Sequence, residues 1–248
     1  MKQLLNLIAI LAAFGVNLLA NIAPPSGLTV ADISNTTFQE VIITPANYAF
    51  IIWGLIYLGL ISLGFYQAFP SQQKNATVKR LGYFLVIASL AQIAWIFLFQ
   101  YQLFNLSLVA MILILLPLIR LYQRLEIGIT KTSRQSQWLI HTPVSIYLAW
   151  ISVATIVNVA VVLYNLGWSG WFLSPEIWTL VMLVVASFIA AEVLVKHNDS
   201  AFALVMVWAF MAIALRHATT QVIFASAGGL AIVILLLLLF QKQRKKKT

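Results

Sequence analysis

Apolar positions in this chain come in long unbroken runs, with polar residues gathered in the short stretches between them. Eight runs can be traced, at about 4–23, 45–67, 81–100, 104–122, 139–163, 176–195, 201–216 and 222–241. Runs near 20 residues that are apolar on every face predict helices that cross a bilayer, because a soluble helix keeps a polar face. Run four is interrupted by Pro117, and run seven is short and closely followed by run eight, which leaves a seven-crossing alternative.

The basic residues arbitrate between the two counts. With the N-terminus inside, the inner segments collect Lys2; Lys74, Lys79 and Arg80; Arg120, Arg124, Lys131 and Arg134; Lys196; and Lys242, Arg244, Lys245, Lys246 and Lys247, leaving Arg216 alone outside. Lys/Arg bias of this kind sets orientation during insertion, and a missed or invented crossing would have scrambled it. The expectation is an all-α polytopic integral membrane bundle of eight transmembrane helices, with both termini cytoplasmic.

Composition closes off other classes. The chain is 62% apolar and 8% charged, too few charges to cover a soluble fold of 248 residues, and eight crossings leave no room for a separate soluble domain. The net charge of +9 follows the positive-inside pattern, so it argues for no nucleic-acid partner. The absence of cysteine excludes disulfides, thiolate metal sites and a Cys nucleophile. Lys2 followed by an apolar stretch ending Ala-Asn-Ile-Ala resembles a signal peptide, but Pro24 would adjoin the cut after Ala23 and no A-x-A site is present. Thr44-Pro45 and Ser174-Pro175-Glu176 read as helix starts, with an N-cap hydroxyl and proline in the first turn. The longest connection, about 24–44, contains Asp32 and Glu40 but no Lys or Arg, lies outside on this topology, and is long enough to cover a site.

Catalytic constellations are missing from the sequence. His141, His197 and His217 fall near helix ends on both sides, so no pair is expected to share a metal. Glu192 is the one candidate for a charge inside the bilayer, and Lys196 four residues on makes an i,i+4 ion pair its plain reading. Tryptophan is the distinctive residue. Of the eight, Trp138, Trp168, Trp171 and Trp178 fit an interfacial belt, whereas Trp53, Trp95, Trp150 and Trp208 lie inside their runs.

Depth can be counted at about 1.5 Å per residue from the outer helix ends. Trp95 and Asn158 then lie roughly 8 Å down, Trp53 and Thr155 roughly 12 Å, and Tyr57 and Trp150 roughly 18 to 20 Å. Phe50, Trp53 and Tyr57 share one face of the second helix, Gln92, Trp95 and Phe99 one face of the third, and Tyr147, Trp150, Thr155 and Asn158 a broad face of the fifth. Asn17 and Asn21 add amides from the first helix. Large aromatics beside small residues and a few polar groups describe an apolar ligand cavity, but ordinary interhelical packing with polar glue uses the same residue types.

At these positions the sequence resembles the tryptophan-rich sensory protein / translocator protein (TspO/MBR) family. Pro45 followed by Trp53 and Tyr57, Gln92-x-x-Trp95 (where the family usually has Asn-x-x-Trp), and Tyr147-x-x-Trp150-x(4)-Thr155-x-x-Asn158 carry the resemblance. It covers about residues 1–165, a five-helix core with its loop at 24–44, and leaves 166–248 as three additional helices and a basic tail. The resemblance implies a pocket beneath the loop for a tetrapyrrole, porphyrin, sterol-like or synthetic aromatic ligand, with no resident cofactor, in a protein that commonly dimerises. It implies ligand-binding roles for Phe50, Trp53, Tyr57, Gln92, Trp95, Tyr147, Trp150, Thr155 and Asn158. A departure from the family is Asn47-Tyr48 where a Trp-rich stretch usually precedes the second helix. The expected function is a sensory or transport-related binding protein. The rivals are a secondary transporter, for which Pro117 and Pro143 would supply broken helices, and a membrane enzyme that degrades porphyrin, for which the chain offers no acid, base or metal set.

The charge split generates a direct test: reporter fusions after Ser174 and at the C-terminus should report opposite sides of the membrane, and same-side signals would remove the eight-helix topology.

Overall fold

The computed structural model describes residues 1–168 and 170–247, with side chains through Arg244; the side chains of Lys245, Lys246 and Lys247 in the basic tail lie outside the described residues. All eight apolar runs are helical: α1 (Lys2–Ile22), α2 (Ile52–Ala68), α3 (Phe84–Gln100), α4 (Phe104–Arg124), α5 (Thr142–Asn165), α6 (Pro175–His197), α7 (Ser200–Arg216) and α8 (Gln221–Lys247). Six are long and apolar enough to cross a membrane, α2 and α5 together with the turns that lead into them. The other two, α3 and α7, are apolar helices of 17 residues. That is about 25 Å, at the short end for a crossing. The chain is therefore an all-α polytopic membrane bundle.

The first five helices close a ring in the order α1, α2, α5, α4, α3, each packed on the next and α3 back on α1. Helices α6, α7 and α8 pack on one another as a triangle, and α7 docks that triangle onto α5. Glycine permits the tight crossings. A Cβ on Gly59 of α2 would meet the Pro143 ring on α5 at 3.1 Å. A Cβ on Gly128, after α4, would sit 1.5 Å from the His197 carbonyl oxygen at the end of α6, so no side chain fits between those two turns.

Inter-helix segments alternate between two ends, as eight antiparallel passages require. At the basic end Lys2 lies over the Tyr83 ring, Asn6 donates to Gln67 Oε1 and to the Gly82 carbonyl, Arg80 pairs with Glu126 at 2.6 Å, and the His197 ring meets the Ile127 carbonyl oxygen at 2.9 Å. At the loop end Gln100 donates to the Ala20 carbonyl and Tyr164 to Glu40.

Local signals hold in part. Ser174 caps α6 by accepting from the Ile177 amide, and Pro175 opens the helix. Thr44-Pro45 does not cap α2: a 3-10 turn, Asn47–Ile51, precedes the helix, with Ala46 at its cap and Thr44 fully buried. Pro117 lies within an unbroken α4. Pro143 sits in the first turn of α5, after a π turn at Gln137–His141, and α5 runs on to Asn165. Neither proline breaks a helix in mid-membrane, so the feature expected of a transporter site is not formed at these positions. The long loop contains a short helix, Val30–Thr36, started by a capping box in which Thr29 accepts from the Asp32 amide and Asp32 accepts from the Thr29 amide and hydroxyl. Those bonds hold the Asp32 carboxyl below the usual carboxylate range.

Glu192 is not the buried charge. It pairs with Lys196 at 2.6 Å with both side chains more than half exposed, as the i,i+4 reading expected. The buried carboxylate is Asp199, 6% exposed, in the two-residue turn between α6 and α7. Asn198 closes α6 in the left-handed conformation. Asp199 then caps α7: Oδ1 accepts from the Ala201 and Phe202 amides, and Oδ2 accepts from Tyr122 Oη on α4 at 2.8 Å and Ser145 Oγ on α5 at 2.5 Å. One side chain thus joins the triangle to the ring.

The far end of α7 is tied to the long loop. Arg216 donates to the Thr44 and Gln39 carbonyls, the His217 ring meets the Ile42 carbonyl at 2.9 Å, the Ala46 amide donates to Ala212, and Trp208 Nε1 donates to Ala49 at 3.1 Å. Burial holds the His217 imidazole below its usual 6.5.

Two outcomes are expected. Asp199→Ala removes an N-cap and leaves two buried hydroxyls without their acceptor, so it should cost about 3 kcal/mol or more in detergent unfolding, with Asp199→Asn milder. The second concerns the clasp between α7 and the loop. The docked His217 is harder to protonate than the released one, so the released state binds more protons and docking weakens as pH falls through about 6.5. Amide exchange over residues 39–46 should therefore rise on acidification and should rise at pH 7.5 in Arg216→Ala by about tenfold.

Candidate ligand pocket under the long loop

A cavity of about 230 Å³ lies between α1, α2 and α3 beneath the loop, lined among others by Phe14, Asn17, Asn21, Phe50, Trp53, Tyr57 and Trp95. A smaller one of about 40 Å³ lies toward α5, against Phe99, Trp150 and Asn158. Phe50, Trp53, Trp95 and Val30 line both, so their side chains are the partition between the two spaces. The roof is the short loop helix, through Val30 and Ala31 over the larger space and Val30 and Ser34 over the smaller, with Pro45 at the smaller one's edge.

Aromatic contacts brace the walls. Trp53 lies 5.7 Å from Tyr57 and 6.1 Å edge-on to Tyr147, Phe50 stands edge-on to Trp150, and Trp95 stacks on Phe99 at 5.2 Å. Phe99 in turn meets Phe104, which meets Phe38 of the loop. Such pairs stabilise by about 0.5 to 1.5 kcal/mol each beyond the area they bury, so the wall holds its shape without a ligand.

Polar groups divide into committed and uncommitted. Asn158 Oδ1 accepts from Trp95 Nε1 at 2.8 Å and its Nδ2 donates to Ser107 Oγ on α4 at 3.1 Å, which fixes the plane of the Trp95 ring. Tyr57 donates to the Ala13 carbonyl at 3.2 Å. Thr155 donates to the Ile151 carbonyl of its own helix and lines neither cavity. Tyr147 Oη stands 3.5 Å from Gln92 Oε1, and Gln92 Nε2 is buried without an acceptor. Neither of these two lines the cavities, so the free amide marks polar capacity behind the aromatic wall.

The structure thus brings Phe50, Trp53, Tyr57, Trp95, Trp150 and Asn158 to one compartment of two adjoining cavities, Tyr57 on the larger, Trp150 and Asn158 on the smaller and the other three on both, with Gln92 and Tyr147 behind it and Thr155 turned to its own backbone. Trp208 is not part of it. Its ring stands edge-on to Tyr48 at 5.3 Å, so the rim position where a Trp-rich stretch was missing is packed from α7. Trp168, Trp171 and Trp178 cluster together away from the compartment. Phe99 lines the smaller cavity, as its helix face implied, whereas Phe14 and the loop residues Val30, Ala31 and Ser34 were not anticipated as lining; the capping-box spacing Thr29-x-x-Asp32 was the sequence signal for the loop helix.

Comparison with known proteins bears on the whole chain. A family model described as TSPO-like protein matches residues 3–240, which includes α6, α7 and most of α8. No curated protein and no solved structure matches the chain. With a closed five-helix ring, tryptophans from α2, α3 and α5 gathered under a structured loop, and a match that runs through the last three helices, the chain belongs to the TSPO-like protein family.

Proposed function

We propose that this chain is a membrane binding protein, sensory or transport-related, for a planar apolar ligand of the tetrapyrrole or sterol-like class. The observation that supports this reading is the convergence of Trp53, Trp95 and Trp150 on one compartment roofed by the loop helix. Broad aromatic faces recognise ring systems, and Trp95, oriented through Asn158 and Ser107, offers its face without rearrangement. Asn158 acts in this reading as the positioning residue for Trp95, and Gln92 Nε2 is the donor a ligand's polar edge would meet on deeper insertion.

Size adds a condition. Both spaces lie below the roughly 300 Å³ at the lower end of small-molecule sites. A tetrapyrrole therefore needs the Phe50 and Trp53 partition to swing aside and the roof to lift. In this reading binding is coupled to the loop, and the α7 clasp on Gln39, Ile42 and Thr44 sets how readily the loop yields.

Titration of the purified protein with a porphyrin, a haem and a linear tetrapyrrole, read by tryptophan quenching, with a sterol as competitor, tests the proposal. Saturable quenching supports it, and strictly linear quenching by every ligand defeats it. Trp53→Leu and Trp150→Leu should each weaken binding by about 1 to 3 kcal/mol, the scale of a buried aromatic contact. Trp168→Leu and Trp171→Leu should leave affinity within a factor of about two, since Trp171 is 73% exposed and neither lines the compartment. Equal affinity in all four variants would make the cluster interhelical packing alone.

A further inference from the structure

A larger space than either of these lies elsewhere. A crevice of about 750 Å³ runs between the ring and the triangle, with α2 on one side, α7 on the other and α5 as its floor. It exists because α7 reaches the α2 side of the molecule at the loop end, where Trp208 and Ala212 bond the 3-10 turn region. Toward the basic end no described side chain fills the gap.

Its lining is separated by polarity along its length. Ile51, Leu55, Ile146, Leu204 and Trp208 make the part within the apolar spans, and Gln137, Asn198, Ser200 and Lys242 gather at the basic end. The crevice opens sideways: Ile51 is 72% exposed, Leu55 52% and Leu204 50%, so in a bilayer these side chains face hydrocarbon and the route of access is lateral. Trp138, 63% exposed, stands at the junction of the two parts, where an indole suits the headgroup level.

Charge selects the occupant. Two charged side chains line the crevice. Asp199 has both oxygens committed to four internal donors, whereas Lys242 is exposed and makes no ion pair among the described residues. Lys131 and Arg134, both exposed, lie in the segment that leads to Gln137 and Trp138 and add to the positive potential at that end.

We propose that this crevice is a binding site for one anionic membrane phospholipid, its acyl chains laid along Leu55, Ile146 and Leu204 and its phosphate held at Lys242. The crevice shares one lining residue, Ile51 of the 3-10 turn, with the larger cavity under the loop and is otherwise lined by different residues, and the proposal does not rest on what that cavity binds. A lipid seated there fills the seam through which the last three helices meet the first five.

Native mass spectrometry of the full chain, released from detergent after titration with phosphatidylglycerol or phosphatidylcholine, reads the site. The expected result is one tightly retained phosphatidylglycerol, with phosphatidylcholine held at least about fivefold more weakly. Lys242→Gln should lower phosphatidylglycerol affinity by about fivefold, and Lys74→Gln, on a loop outside the crevice, should not. Leu204→Trp and Leu55→Trp fill the crevice from opposite walls and should each abolish the tight site; Leu55 is half exposed, so its variant is expected to fold even if the other does not. Equal retention of the two phospholipids, undiminished retention in a folded Leu55→Trp, or equally tight binding of oleate in place of the phospholipid would each overturn the proposal.

Discussion

A carboxylate with four donors around it organises this membrane protein. In hydrocarbon a charge without partners is costly, and so is a backbone amide without an acceptor. Asp199 meets both demands at once: it caps the first turn of α7 and receives hydroxyls from α4 and α5. Because its two hydroxyl partners come from the ring and its backbone belongs to the triangle, the two groups of helices can reach that arrangement only in one register. Apolar packing between α5 and α7 supplies area. The polar junction supplies the register, since sliding α7 by one residue would strand the Tyr122 and Ser145 hydroxyls, which belong to the ring.

The pocket under the loop depends on the same logic at smaller scale. Trp95 is a large ring in a wall otherwise made of interchangeable aliphatic and aromatic contacts, and the Asn158–Ser107 pair is what prevents it from turning. Phe50 and Trp53 have no such restraint through a polar atom and stand half-buried between two spaces. The compartment thus joins a ring held through hydrogen bonds to neighbours held through ring contacts alone.

Much of this was readable from the chain. Helix count followed from runs of apolar residues and from where Lys and Arg fell between them, and the compartment followed from counting rise and rotation along α2, α3 and α5, because both quantities are fixed by helix geometry. What escaped were contacts closed by tertiary distance. Asp199 reads in the sequence as a turn residue between two apolar runs, and nothing local shows that Tyr122 and Ser145, 77 and 54 residues away, converge on it. Glu192 drew attention instead because it lies inside a run, yet its helix face is exposed. Thr155 shares a helix face with Asn158 but its hydroxyl is short enough to satisfy itself on its own backbone. The Thr44-Pro45 start failed because the chain is pulled into a 3-10 turn by bonds from α7, which begin more than 150 residues later.

Helix α7 is a rod of about 25 Å with polar fastenings at both tips: Asp199 at one, Arg216 and His217 at the other. One tip holds the loop, and the other ends beside the turn where Gly128 leaves no slack against His197. The last three helices therefore tie the roof of the compartment to the basic end through one helix held at both tips, so the loop and the turn at Asp199 share a single rigid connection.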